Sequence, residues 1–142
     1  MRFKHDYLAK EFQNISVFLR IMAEDLDKFS QTHFQKELTI TRIQSDKVKG
    51  ESGVHTDNRA IDFRDQYMEN YLFRPAEREI LLKYINEKYQ RNDGYKSLIW
   101  HSFGNGPYHF HLQIAKTVKT YEKQPKKIGV MAWLLNQLSR QA

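Results

Sequence analysis

The segment YHFHLQI, residues 108–114, carries two histidines two positions apart. On a β-strand that spacing puts His109 and His111 side by side on one face, while Phe110 and Leu112 turn the other way into a core. Neutral imidazole is the commonest protein ligand for zinc, and such a pair lets one or both ring nitrogens converge on an ion. A second segment, SGVHTDNRAIDFR at residues 52–64, supplies one further nitrogen ligand at His55 and one charged oxygen ligand at Asp62. His55 and Asp62 have opposite strand parity, so the chain through Thr56, Asp57 and Asn58 must bend for both to reach one point. Asp62 also interrupts an apolar run between Ile61 and Phe63, and a carboxylate in that setting needs a cation. A zinc ion held by His55, Asp62 and His111 is the simplest partner. Three protein ligands leave a fourth position for water, the mark of a catalytic rather than a structural zinc site. Bound zinc lowers the pKa of that water toward about 7 and polarises a carbonyl, as amide hydrolysis requires.

Several elements must position these residues. Apolar residues at Leu8, Phe12, Ile15, Leu19, Met22, Leu26 and Phe29 step by four and three, which predicts one long core-packing helix. ELTITRIQS, residues 37–45, reads as a strand with Leu38, Ile40 and Arg42 on one parity and Thr39, Thr41 and Ile43 on the other. Ser45 to Asn58 is then a polar loop. In the short strand RAIDF, Ile61 and Phe63 share one face and Ala60, Asp62 and Arg64 the other. After an irregular aromatic segment, Pro75 opens a helix with Glu77 and Glu79 near its N-terminus. KSLIWHS and YHFHLQIA, joined by FGNGP, predict a hairpin. Lys126 to Arg140 reads as a closing amphipathic helix. The fold class is α+β, a small antiparallel sheet flanked by helices, with the zinc site on the open face.

The 142 residues fit a single domain spanning 1–142. The absence of cysteine excludes disulfides and thiolate metal sites, leaving His, Asp and Glu as ligands. The N-terminal segment lacks an apolar run of signal-peptide length, and no stretch approaches a membrane span. Synthesis in the cytoplasm as a soluble monomer is the resulting expectation. A net charge of +6 favours polyanionic surroundings, whether nucleic acid, anionic membrane or bacterial envelope polymer. A nucleic-acid-binding domain is the weaker alternative and predicts salt-dependent affinity indifferent to zinc removal.

The pattern His-x6-Asp, introduced by a nearby serine and followed much later by His-x-His on a strand, resembles the peptidoglycan-cleaving zinc peptidases of the LAS superfamily. Its D-alanyl-D-alanine carboxypeptidase branch is the most similar; members commonly show Ser-x-His-x-x-Gly-x-Ala-x-Asp. Ser52, His55, Ala60 and Asp62 lie close to that pattern, although Ser52 stands three rather than two residues before His55 and Asn58 replaces the usual glycine. The resemblance spans residues 38–114. It implies a Hedgehog/DD-peptidase-like fold, zinc on His55, Asp62 and His111, His109 as the acid/base group, Arg42 on a substrate carboxylate or carbonyl, and Ser52 positioning the peptide. The implied substrate is a peptidoglycan stem peptide or cross-bridge, cut by carboxypeptidase or endopeptidase action. A phage or prophage origin, as for an endolysin, would bring such a chain to the cell wall without a signal peptide.

Many relatives place an acidic base three residues before the last ligand, where this chain has Tyr108. Either His109 takes the proton, or turnover is weak or lost, and the chain is then a non-catalytic zinc-binding phage or prophage structural protein of the same fold. The remaining candidates read as structure: His101, on the hairpin partner, as core or edge packing ahead of stacking beside the site, Trp100, Tyr108 and Tyr67 as core aromatics rather than cleft lining, residues 122–127 as a solvated turn. His5 and His33 carry no signal.

Overall fold

The computed structural model describes residues 1–44, 53–117 and 120–121. Ser52, residues 122–127 and the C-terminal segment read as a helix lie outside the described residues. The order of elements is β1 (Arg2–Phe3), α1 (Asp6–Asn14), α2 (Val17–Phe34), β2 (Thr39–Arg42), β3 (Ala60–Arg64), β4 (Gln66–Tyr67), β5 (Asn70–Tyr71), α3 (Pro75–Lys88), β6 (Leu98–His101) and β7 (His109–Gln113). The architecture is α+β. Five strands form one sheet in the order β1-β2-β3-β7-β6, and β4 and β5 form a separate two-stranded ribbon.

The main sheet is mixed rather than wholly antiparallel, because β1 runs parallel to β2 while the other neighbours are antiparallel. Only two residues make that first strand, held by Arg2 N–H donating to the Leu38 carbonyl at 2.8 Å and Lys4 N–H to the Ile40 carbonyl at 2.9 Å. A pairing so short and so distant in sequence leaves no periodic signal.

The long apolar stripe of the N-terminal segment is buried throughout, from Leu8 to Phe29. It is nevertheless carried by two helices, since Ile15 has extended backbone at ψ 172° and Ser16 precedes the first turn of α2. Asn14 and Ser16 compete for backbone hydrogen bonds outside helices, which favours a break between them. The stripe survives because both helices face the same core.

That core covers one face of the sheet. Ile40, Ile61, Phe63, Leu98, Phe110 and Leu112 project from the strands into a cluster that includes Leu19 and Met22 of α2 and Ile80 and Ile85 of α3. Phe63 and Phe110 are fully buried and sit opposite one another across β3 and β7; each such side chain contributes about 1.5–3 kcal/mol. Strand alternation then forces the intervening residues onto the opposite face.

The aromatic segment after β3 is more ordered than its sequence suggests. The β4–β5 turn passes through Met68 at φ 55°, a left-handed position where glycine or asparagine is the usual signal. Asp65 beneath it is 1% exposed and accepts from Phe73 N–H at 2.9 Å and from Trp100 Nε1–H at 2.8 Å. Trp100 stacks on Tyr108 with centroids 4.3 Å apart.

At the start of α3, Pro75 takes the first helical position and the Glu77 carboxylate accepts from Arg74 N–H at 2.8 Å. Burial alone pushes the Glu77 carboxyl up, but its bonds to Lys36 and Arg74 outweigh this and hold it below the ordinary value of 4.5. A group depressed in the folded state stabilises the fold above its unfolded pKa and loses that contribution as pH falls through the folded value. Glu77→Gln is therefore expected to lower stability by about 1–2 kcal/mol near neutral pH. The difference from the parent should shrink once the pH drops below 4.5, measured by urea unfolding across a pH series.

Candidate metal centre

The register of the two central strands builds the site. Asp62 pairs with His111 and Arg64 with His109 across β3 and β7, while Ile99 and His101 of β6 pair with His111 and His109. All six lie on the face turned away from the helical core. The hairpin predicted from FGNGP is present, with a turn through Gly104 at φ 58°. It carries His101 to a ring-centroid distance of 4.7 Å from His109.

His55 arrives from the turn before β3. Arg59 N–H donates to the Val54 carbonyl at 2.8 Å and Asn58 N–H to the His55 carbonyl at 3.0 Å, so the chain reverses within a few residues. Asn58 takes φ 56°. Outside glycine, asparagine is among the few residues that adopt this left-handed conformation readily, which accounts for asparagine at a position where glycine is the obvious choice.

Arg42 reaches the same face through an irregularity in β2. Ile40 pairs with Phe63, yet Arg42 pairs with Asp62, so two steps along β2 match one along β3. The extra residue, Thr41, forms a β-bulge, with its hydroxyl donating to the Asp62 carbonyl at 3.3 Å. Strict alternation would put Arg42 on the core side with Ile40. The bulge moves it across, to 4.0 Å between its Nη1 and Asp62 Oδ2.

Asp62, His55 and His111 are buried at 5%, 4% and 7% exposure. They form a group whose ligand atoms lie within 4.8 Å of one another and could hold a metal ion. His111 Nδ1 lies 2.8 Å and His55 Nε2 3.2 Å from the same oxygen, Asp62 Oδ1. Metal–ligand bonds of about 2.0–2.2 Å at the tetrahedral angle separate neighbouring ligand atoms by roughly 3.3–3.6 Å. One contact is already near that spacing, and the other reaches it by opening about half an ångström.

The protons of the site follow from its outer contacts. His55 Nδ1 lies 2.7 Å from the Ile43 carbonyl, which can only accept, so that nitrogen carries a proton. Nε2 then faces the Asp62 carboxylate, with a lone pair in the neutral ring or with an N–H in the imidazolium. His109 repeats the arrangement: Nδ1 donates to the Pro107 carbonyl at 3.0 Å, and Nε2 faces Asp62 Oδ1 at 3.7 Å. Lone pairs facing an anion repel unless a proton or a metal cation lies between them. Burial alone pushes the Asp62 carboxyl up, but bonding to His111 and His55 and their charge hold it well below the usual carboxylate range. His101 is lowered from its ordinary value by burial and then by the imidazoles of His109 and His111, against an opposing effect of Asp62.

A cavity of about 360 Å³ opens over this group, lined in part by Arg42, Gly53, Tyr95, Phe103 and Gln113 besides the histidines. The expectation that His101 serves core or edge packing is thus corrected, since it lines the cavity. Strand parity with His109 across the hairpin was the available signal. Trp100, Tyr108 and Tyr67 do not line the cavity, but only Trp100 packs against the core, Tyr67 and Tyr108 being exposed; the aromatics that line the cavity are Tyr95 and Phe103, both exposed. Larger hollows of about 470 Å³ beside the end of α3 and about 640 Å³ beside β1 have no histidine among the described residues that line them.

Compared with known proteins, the chain matches no family model, no curated protein and no solved structure. Among the described residues, no helix is long and apolar enough to cross a membrane.

The turn that delivers His55 is the most direct test of this construction. Asn58→Gly is expected to leave stability within about 0.5 kcal/mol of the parent, whereas Asn58→Val, β-branched at a left-handed position, should cost about 1–2 kcal/mol. Chemical denaturation of the two variants beside the parent measures both.

Proposed function

We propose that the chain is a zinc-dependent peptidase that hydrolyses an amide bond in peptidoglycan peptides, of the D-Ala-D-Ala carboxypeptidase-like LAS type and its Hedgehog/DD-peptidase-like fold. The observation that carries this reading is the convergence of imidazole nitrogens on a buried carboxylate. His55 and His109 each commit one nitrogen to a backbone carbonyl and turn the other toward Asp62 Oδ1. That preference for a cation, with two nitrogens and one oxygen as donors, suits zinc.

When bound, zinc supplies a water of lowered pKa and polarises the scissile carbonyl. His55, Asp62 and His111 hold the ion, and the Ile43 carbonyl fixes the His55 ring in the tautomer that leaves Nε2 free. Among the described residues, Asp62 is the sole carboxylate lining the cavity. As a ligand it is committed, so proton transfer falls to an imidazole. His109 Nε2 accepts a proton from the attacking water and returns it to the leaving amine as the C–N bond breaks. Tyr108 stacks on Trp100 outside the cavity lining and takes no part in that transfer. Arg42, at the rim, offers a planar fork of donors to a carboxylate or carbonyl of the substrate. Ser52, just before the described turn, is assigned to positioning the peptide by the motif alone.

A lining with no second carboxylate among the described residues also favours a second reading, a zinc-binding phage or prophage structural protein that keeps the metal cage without turnover. The two separate experimentally. The purified parent is expected to carry about one zinc per chain by elemental analysis and to cleave muropeptides, and His111→Ala should lose both. His109→Gln is expected to retain zinc while kcat falls by about 10²–10⁴. Zinc without cleavage in the parent would establish the structural reading, and no metal in the parent would end both.

A further inference from the structure

The histidines on the open face exceed what a single His-Asp-His centre uses. His101, His109 and His111 form a second group whose ligand nitrogens lie within 4.8 Å of one another, overlapping the first group only at His111. His101 Nε2 is buried and has no hydrogen-bond partner among the described residues. A buried polar atom without a partner costs roughly 1–3 kcal/mol, so its persistence calls for a partner beyond the described residues. The His101 ring sits beside the His109 and His111 rings, at centroid distances of 4.7 and 5.4 Å, and lines the cavity. A ligand that three neutral imidazoles can bond in common is a cation.

We propose that His101, His109 and His111 form a second, all-imidazole cation position, an alternative to the His55–Asp62–His111 position and suited to Ni²⁺ or Cu²⁺. Three nitrogen donors with no carboxylate favour late first-row ions, whose affinity for imidazole rises toward copper, and give little to Mg²⁺ or Ca²⁺. The positions share His111, so an ion bound in one withdraws a ligand from the other. An ion in the second position also occupies His109. On the peptidase reading, that removes the proton-transfer group and makes Ni²⁺ an inhibitor; the binding itself does not depend on that reading.

The probe is Ni²⁺, measured by isothermal titration calorimetry on full-length variants that first pass a thermal melt by circular dichroism. His55→Ala removes the first position and leaves the second intact, so it is expected to bind about one Ni²⁺ per chain. Adding His101→Ala, or separately His109→Ala, should weaken that binding by about 100-fold or more, since even a hydrogen-bonding partner of a metal ligand is worth roughly 10–100-fold. His55→Ala that binds no Ni²⁺ would overturn the proposal. So would undiminished binding in either double variant, which would place the ion elsewhere. Failure of the peptidase reading shows separately, as a parent that holds no zinc or cleaves no muropeptide while His55→Ala still takes Ni²⁺.

Discussion

Everything on the open face of the sheet depends on the buried contact between Asp62 and His111. The two are cross-strand partners on β3 and β7, with His111 Nδ1 2.8 Å from Asp62 Oδ1. Taking a carboxylate out of water is costly, and burial by itself would raise its pKa. Two imidazoles bonded to it reverse that and keep the anion. The retained charge then sets the orientation of its surroundings. His55 and His109 turn a ring nitrogen toward it, and Arg42 approaches from the end of β2.

A second buried aspartate three residues later shows what a structural carboxylate looks like in the same chain. Asp65 is met by a backbone N–H, the Trp100 indole and the Arg78 guanidinium, at 2.9, 2.8 and 3.5 Å. Those partners are donors or fixed cations, and the group ties the β4–β5 ribbon to α3 and β6. Asp62 is surrounded chiefly by imidazoles whose available nitrogens include lone pairs. The first environment is complete as it stands; the second has ligand atoms placed so that they could hold a metal ion. Burial alone does not separate the two residues, but the chemistry of their partners does.

The site is assembled from segments that reach the same face by different physical means. Alternation along β3, β6 and β7 is enough for Asp62, His101, His109 and His111. Arg42 needs the Thr41 bulge, and His55 needs a turn whose tightest point is Asn58 in the left-handed region. These two departures from regular backbone occur at the site and nowhere in the paired core of β3 and β7. Such irregularities persist where the surrounding structure fixes them, here through the β3 ladder and the Val54–Arg59 hydrogen bond. The cavity above joins the His–Asp group, a guanidinium and two exposed aromatics in one space within the size range of ligand pockets.

The sequence by itself determined which residues face the core and which face the site wherever the backbone is regular. Apolar periods of two and of three to four survive any tertiary arrangement that buries them, so β3, the β6–β7 hairpin, α3 and the N-terminal apolar stripe were all legible. His55, Asp62 and His111 were legible as a set because their donor types and spacing suit one ion. Only the tertiary structure decided the rest. The break at Ile15 and the parallel β1 strand leave the apolar pattern unchanged. The Met68 turn lacks the usual turn residues. His101 looked like packing because its partner, His109, becomes a neighbour only once the hairpin register is fixed. Arg42 was on the core parity until the bulge moved it. Local patterning encodes the direction of a side chain relative to its own strand; which side chains meet is a property of strand register, and that is set by long-range pairing.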